Sequence, residues 1–109
     1  MKAVIVKSRT GVMQIVDKEW TLKALQEAVG GMIENVSIDG RFVVYADEEA
    51  RLKPQDAAFA IPNLTNGVIL GDAVILGRNE YDCEEAEVDP LVLLPLVEKT
   101  LFYEIKRAV

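Results

Sequence analysis

The chain has 109 residues, half of them hydrophobic, with a formal net charge of −6 and no histidine. That length and balance suit one soluble domain, while the negative charge opposes the counterion release by which proteins hold nucleic-acid backbones. A lone cysteine, Cys83, excludes an intrachain disulfide and a cysteine-cluster zinc site, and the missing histidines exclude Ser-His and Cys-His nucleophile pairs.

Residues 2 to 7, Lys-Ala-Val-Ile-Val-Lys, read as a strand apolar on both faces and therefore central in its sheet. The same run is too short for a signal peptide, and no stretch approaches the roughly 18 apolar residues of a membrane helix. A cytoplasmic location is expected. Ser8-Arg9-Thr10-Gly11 is a turn cluster, and Val12 to Val16 return as a second strand beside the first.

Trp20 to Val44 is the most informative stretch. Thr21 is a helix N-cap, with Trp20 and Leu25 at the spacing of a hydrophobic staple. Leu22, Leu25 and Val29 form an apolar face at i, i+3 and i+7, and Gly30 is the left-handed residue that stops the helix. Because Gly30-Gly31 follow a helix rather than precede one, they do not form a phosphate cradle. A strand from Ile33 is expected to turn at Asp39-Gly40, a type I′ signal, and to return from Arg41 to Tyr45.

Asp47 to Lys53 is a charged loop or single helical turn that ends at Pro54. Short apolar runs follow at 57–61, 68–70 and 73–76, the last two joined by Gly71-Asp72 as a prospective hairpin. The acidic run from Glu80 to Asp89 reads as a solvated linker with no sheet to anchor it. Asp89-Pro90 resembles an N-cap with a first-turn proline. Because an interior proline costs roughly 3 kcal/mol, the main C-terminal helix is expected over about 95–107, after a loose turn, with Leu94, Val97, Leu101 and Ile105 buried and Lys106 and Arg107 in its last turn.

These elements predict a single small α+β domain over residues 1–109, a mostly antiparallel sheet with two helices at about 20–29 and 95–107. The expected core is Val4, Val6, Ile15, Leu22, Leu25, Val29, Val36, Phe42, Val44, Ile75, Val97, Leu101 and Ile105.

The chain resembles a family of small domains of unknown function carried by phages, plasmids and conjugative elements. That family shows a Thr-Leu-x-x-Leu-Gln-x-x-Val-Gly-Gly-x-Ile-Glu motif, matched here by Thr21, Leu22, Leu25, Gln26, Val29, Gly30, Gly31, Ile33 and Glu34. Its Asn-Glu-Glu-Gly-Lys-Leu segment is similar to Asp47-Glu48-Glu49-Ala50-Arg51-Leu52, and Val74-Ile75-Leu76-Gly77 fits its late strand. For its Leu-Pro-x-Asn motif the nearest stretch is Lys53-Pro54-Gln55-Asp56. The resemblance implies a mobile-element setting and no particular chemistry.

Candidate binding residues are Asp47, Glu49, Arg51, Lys53 and Asn63. Loops after strands carry recognition, and a guanidinium can grip a carboxylate or phosphate with two parallel bonds. The acidic run lacks the glycine of a calcium loop, so no metal site is expected. Cys83, among acidic residues, is not expected to act as a nucleophile. No catalytic residue or cofactor is expected. The expected function is a non-enzymatic phage or mobile-element accessory protein that binds a host or element protein, with counter-defence as one setting. The alternatives are a nucleotide-type small-ligand binder using Arg51, Lys53 and Asn63, and an acidic DNA mimic. The expected partner is a protein, or a small molecule under the first alternative. Direct nucleic-acid and membrane partners are not expected, and a homodimer is compatible with the composition.

Overall fold

Alternating apolar residues at the N-terminus give β1 (Lys2–Lys7), which pairs antiparallel with β2 (Val12–Asp17) over six consecutive residue pairs. The computed structural model describes residues 1–79 and 81–106. Among these, the main sheet continues through β3 (Ile33–Asn35), β4 (Phe42–Asp47) and β7 (Ala73–Arg78) in the order β2-β1-β7-β4-β3, with β8 (Glu85–Ala86) beside the end of β7. Each pairing is antiparallel, with Val4 and Val44 both opposite Ile75. A smaller sheet has the order β6-β5-β9, from β5 (Ala57–Ala60), β6 (Ile69–Leu70) and β9 (Leu101–Glu104). The class is α+β, as expected.

The main sheet carries apolar side chains on both faces. On one face α1 (Leu22–Val29) packs Leu25 and Val29 against Ala3, Val74 and Leu76, with Trp20 beneath its first turn. Thr21 Oγ1 accepts the Ala24 amide at 3.1 Å, and Gly30 ends the helix at φ +84°, so both caps are those the sequence called for. On the other face Val6, Val44 and Ile75 meet Phe59, Ile61 and Leu64 and the underside of α2 (Pro90–Val97).

Several expectations are corrected. The second helix is Pro90–Val97, not 95–107: Asp89 caps it through the Leu91 amide at 3.0 Å, and Pro95 lies inside it. The residue whose carbonyl loses its helical partner to Pro95 is Leu91, which is 84% exposed. Leu101 to Glu104 form a strand because they pair with Ala60 to Ala57 of β5, a tertiary partner that a helical spacing cannot reveal. The expected place of Arg107 lies outside the described residues, as does Glu80.

Asp39-Gly40 is no two-residue turn, since neither residue has positive φ. Val36 still donates its amide to Val44 O of β4 at 2.8 Å, but residues 36–38 also pair on their other side with 64–66, through Ile38 N–H to Leu64 O and Asn66 N–H to Val36 O, both 2.8 Å. Asp39 then closes a wider loop by accepting the Arg41 amide at 2.9 Å and its guanidinium at 2.7 Å. Burial and the Arg41 side chain oppose each other at Asp39, and the guanidinium wins, holding the carboxyl below its ordinary value.

Gly71-Asp72 is not a hairpin either. With Gly71 at φ +79°, it carries the chain from the small sheet into the main one, where Ser8 donates its amide to Asp72 at 3.1 Å and its hydroxyl to Gly71 O. The acidic stretch is anchored: β8 pairs Glu85 with Arg78 and Ala86 with Gly77, and the Tyr45 hydroxyl donates to the Glu85 carboxylate. Of the expected core, Ile15, Leu22 and Leu101 are exposed, and Val36, Val97 and Ile105 are only half-buried.

Candidate functional site

The charged loop after β4 is built around one ion pair. Asp47, the last residue of β4, is buried, and its Oδ2 lies 2.7 Å from Lys53 Nζ. Lys53 Nζ also donates to Gly30 O at 3.1 Å, and Asp47 Oδ1 accepts the Glu49 amide at 2.9 Å. One carboxylate and one ammonium thus tie together the end of α1, the end of β4 and the start of the loop. A Cβ on Gly31 would stand 2.7 Å from Asp47 Oδ1, closer than such atoms approach. The two glycines therefore serve different needs: Gly30 supplies positive φ, and Gly31 leaves room for the pair.

The tie holds a 3₁₀ turn, Ala50–Leu52, in place, with Ala50 buried beneath it and Leu52 N–H bonded to Glu49 O at 2.9 Å. Its outward residues are Glu48, Glu49, Arg51 and Leu52, and Leu52 is 85% exposed. A cleft of about 160 Å³ beside it is lined by Glu34, Asp47, Glu48, Arg51 and Asn66 over an apolar floor of Val68, Ile69 and Leu70.

Of the five candidate residues, Asp47 and Lys53 are mutual partners in the brace, while Glu49 and Arg51 face solvent on the turn it holds. Asn63 stands apart from the cleft. It occupies the left-handed position, φ +68°, of a turn between buried Ile61 and Leu64. The asparagine in the cleft is Asn66, and Glu34 joins it, while Leu52 stands exposed on the turn beside it. The Asn66-Gly67 turn signal marked the first of these, but nothing local marked Leu52, which looks in sequence like an ordinary core leucine.

A larger cleft of about 520 Å³ opens between the β1–β2 turn and β9. Arg9, Thr10, Asp56, Phe102, Tyr103 and Glu104 line it, with Arg9 Nε 3.5 Å from Asp56 Oδ2. On the α1 face of the main sheet, burial first and the Glu85 carboxylate second raise the pKa of Tyr45, keeping its hydroxyl protonated as a donor. Among the described residues no group of three or more His, Cys, Asp and Glu side chains is arranged to hold a metal ion. No described helix is long and apolar enough to cross a membrane.

A family model described as a domain of unknown function, DUF3846, matches residues 1–93. The chain belongs to this family. No curated protein and no solved structure matches it. The DUF3846 match takes in α1, the Gly30-Gly31 corner, the braced loop and the acidic turn, and it ends inside α2, so β9 lies beyond it. Residues from four stretches of the motif resemblance gain a physical meaning from the structure. Gly31, Asp47 and Lys53 are one packed unit, and a Cβ on Gly77 would collide with the Glu87 carbonyl just after β8.

Proposed function

We propose that this DUF3846 domain is a non-enzymatic accessory protein of a phage or other mobile element, acting in the cytoplasm by binding a protein of the host or of the element. The observation that carries the reading is the braced turn. A leucine and an arginine stand in water on a loop that a half-buried ion pair holds in place. A preorganised loop avoids most of the ordering cost of association, and arginine is among the residues that concentrate binding energy. The motif resemblance supports the mobile-element setting, and interference with a host defence is the role that setting favours.

The test is a pull-down from host lysate with the wild-type protein and two variants. Arg51→Ala with Leu52→Ala should lose its partner while keeping its melting temperature, since both side chains lie outside the core. Glu84→Gln, Glu85→Gln and Glu87→Gln together should keep the partner. Retention of every interaction by the loop variant refutes the reading.

The 520 Å³ cleft favours a second reading, a small-ligand binder, because it joins an arginine to two aromatic rings at a size ordinary for ligand sites. Saturable heat on titration with nucleotides, abolished by Arg9→Ala, would favour it over the first.

A further inference from the structure

α2 reads Pro-Leu-Val-Leu-Leu-Pro-Leu-Val, with no charged or polar side chain in eight residues. A helix apolar all round belongs in an interior. Yet among its residues only Leu93 is buried, while Leu91 is 84% and Leu94 52% exposed.

The strand beside it raises the same question. β2 is the terminal strand of the main sheet, and its outer edge has no pairing strand among the described residues. Natural edges are blunted by charge, proline, bulges or shortness. Residues 12–16, Val-Met-Gln-Ile-Val, have none of these, and Ile15 is 56% exposed. Helix and strand meet across an apolar groove of about 240 Å³ whose walls include Met13, Ile15, Leu93, Leu94 and Val97.

We propose that this flank is the interface of a homodimer, in which β2 pairs antiparallel with β2 of a second copy and the two α2 helices pack side by side. This goes beyond the partner-binding reading above and stands independently of it. Three features select a second copy as the occupant. An antiparallel strand pair is compatible with a twofold axis, so one edge can serve both partners. A twofold axis through that pair and normal to the sheet keeps both α2 helices on the same face, each next to the junction. The flank also carries both parts of a self-complementary contact, with Leu91 and Leu94 as projections and the groove as their receptacle.

Charge sharpens the choice. Each copy carries −6, but α2 is uncharged, and the one charged residue of β2, Asp17 at its end, is paired with the N-terminal ammonium at 3.0 Å. Antiparallel pairing puts the two Asp17 residues at opposite ends of the ladder, so association sets no like charges face to face, and the remaining repulsion acts at longer range, where salt screens it with a length of about 10 Å at 0.1 M. A homodimer held this way tightens as salt rises. A basic partner drawn to the acidic chain would loosen.

The experiment is sedimentation equilibrium of the whole chain over a micromolar concentration series at low and high salt. Two variants accompany the wild type: Leu91→Glu with Leu94→Glu, and Ile15→Lys. All three altered side chains are solvent-exposed, and circular dichroism checks that the fold is retained. The expected result is a wild type whose mass doubles with concentration, more readily at high salt, and folded variants that stay monomeric. A wild type monomeric throughout overturns the proposal, and flotation of that monomer with lipid vesicles would reassign the flank to a lipid surface. A dimer that weakens with salt, or that survives in both folded variants, also overturns it.

Discussion

The two edges of the main sheet end in opposite ways. At the β3 edge the strand is three residues long, and the chain around it closes with matched polar groups: Lys53 with Asp47 and Gly30, Glu49 with Asp47. At the β2 edge six residues lie open, and the neighbouring helix turns leucines outward. The first edge is finished by the chain itself, at the cost of strict demands on two glycines. The second makes no such demand, because no strand among the described residues pairs with its outer edge. Substitutions at the β3 corner should therefore be felt by the whole molecule.

Gly31→Val breaks that contrast most strongly. The new side chain takes the space of the Asp47–Lys53 pair and leaves a carboxylate buried without its cation, a loss of about 3 kcal/mol. Thermal denaturation should show a drop on the order of 10 °C. Lys53→Met strands the same carboxylate without a steric clash. Lys53 is partly exposed, so about 2 kcal/mol is expected in urea titration. Gly30→Val keeps the pair but forces a β-branched residue to φ +84°, for roughly 1–2 kcal/mol. A Gly30→Val protein melting at the wild-type temperature would remove the cap from the account.

Asp39 offers a smaller effect with a defined sign. Arg41 depresses its pKa below the ordinary 3.8, so below that pH the unfolded chain takes up the proton first. The stabilisation is full above 3.8 and fades as pH falls through the depressed value. Asp39→Asn should therefore be less stable than wild type at neutral pH, with the gap narrowing as the solution is acidified below 3.8. Smallest of all is Leu91→Ser on the open flank. Measured at a concentration where the protein is monomeric, it should move stability by less than about 0.5 kcal/mol. A large loss would mean that α2 is held by its exposed face after all.

The parts legible in the sequence are those whose signals are local. Thr21 and Gly30 mark the ends of α1 because a cap is chosen by the few backbone groups beside it. Asp89-Pro90 marks the start of α2 for the same reason. The errors fall where a distant partner decides. Leu101 to Glu104 fit a helical stripe but become β9 because β5 offers a ladder. Gly71-Asp72 looks like a hairpin turn but bridges two sheets, because β7 pairs with β1 and β4 instead of β6. In the candidate site, Arg51 and Glu49 were legible as outward charges. The burial of Asp47 and its tie to Lys53 were not, since Gly30 and Gly31 come from a segment far back in the chain.

The place of β7 also has a consequence for how the molecule is made. It lies between β1 and β4 yet comes after both, at residues 73–78. During synthesis the N-terminal hairpin and the β3–β4 pair emerge with no shared neighbour, and long-range pairings of this kind form slowly. The main sheet cannot close until residue 78 has left the ribosome. Until then the apolar faces of both pieces are open to chaperones and proteases, and a chain halted before that point has no native sheet to fold into.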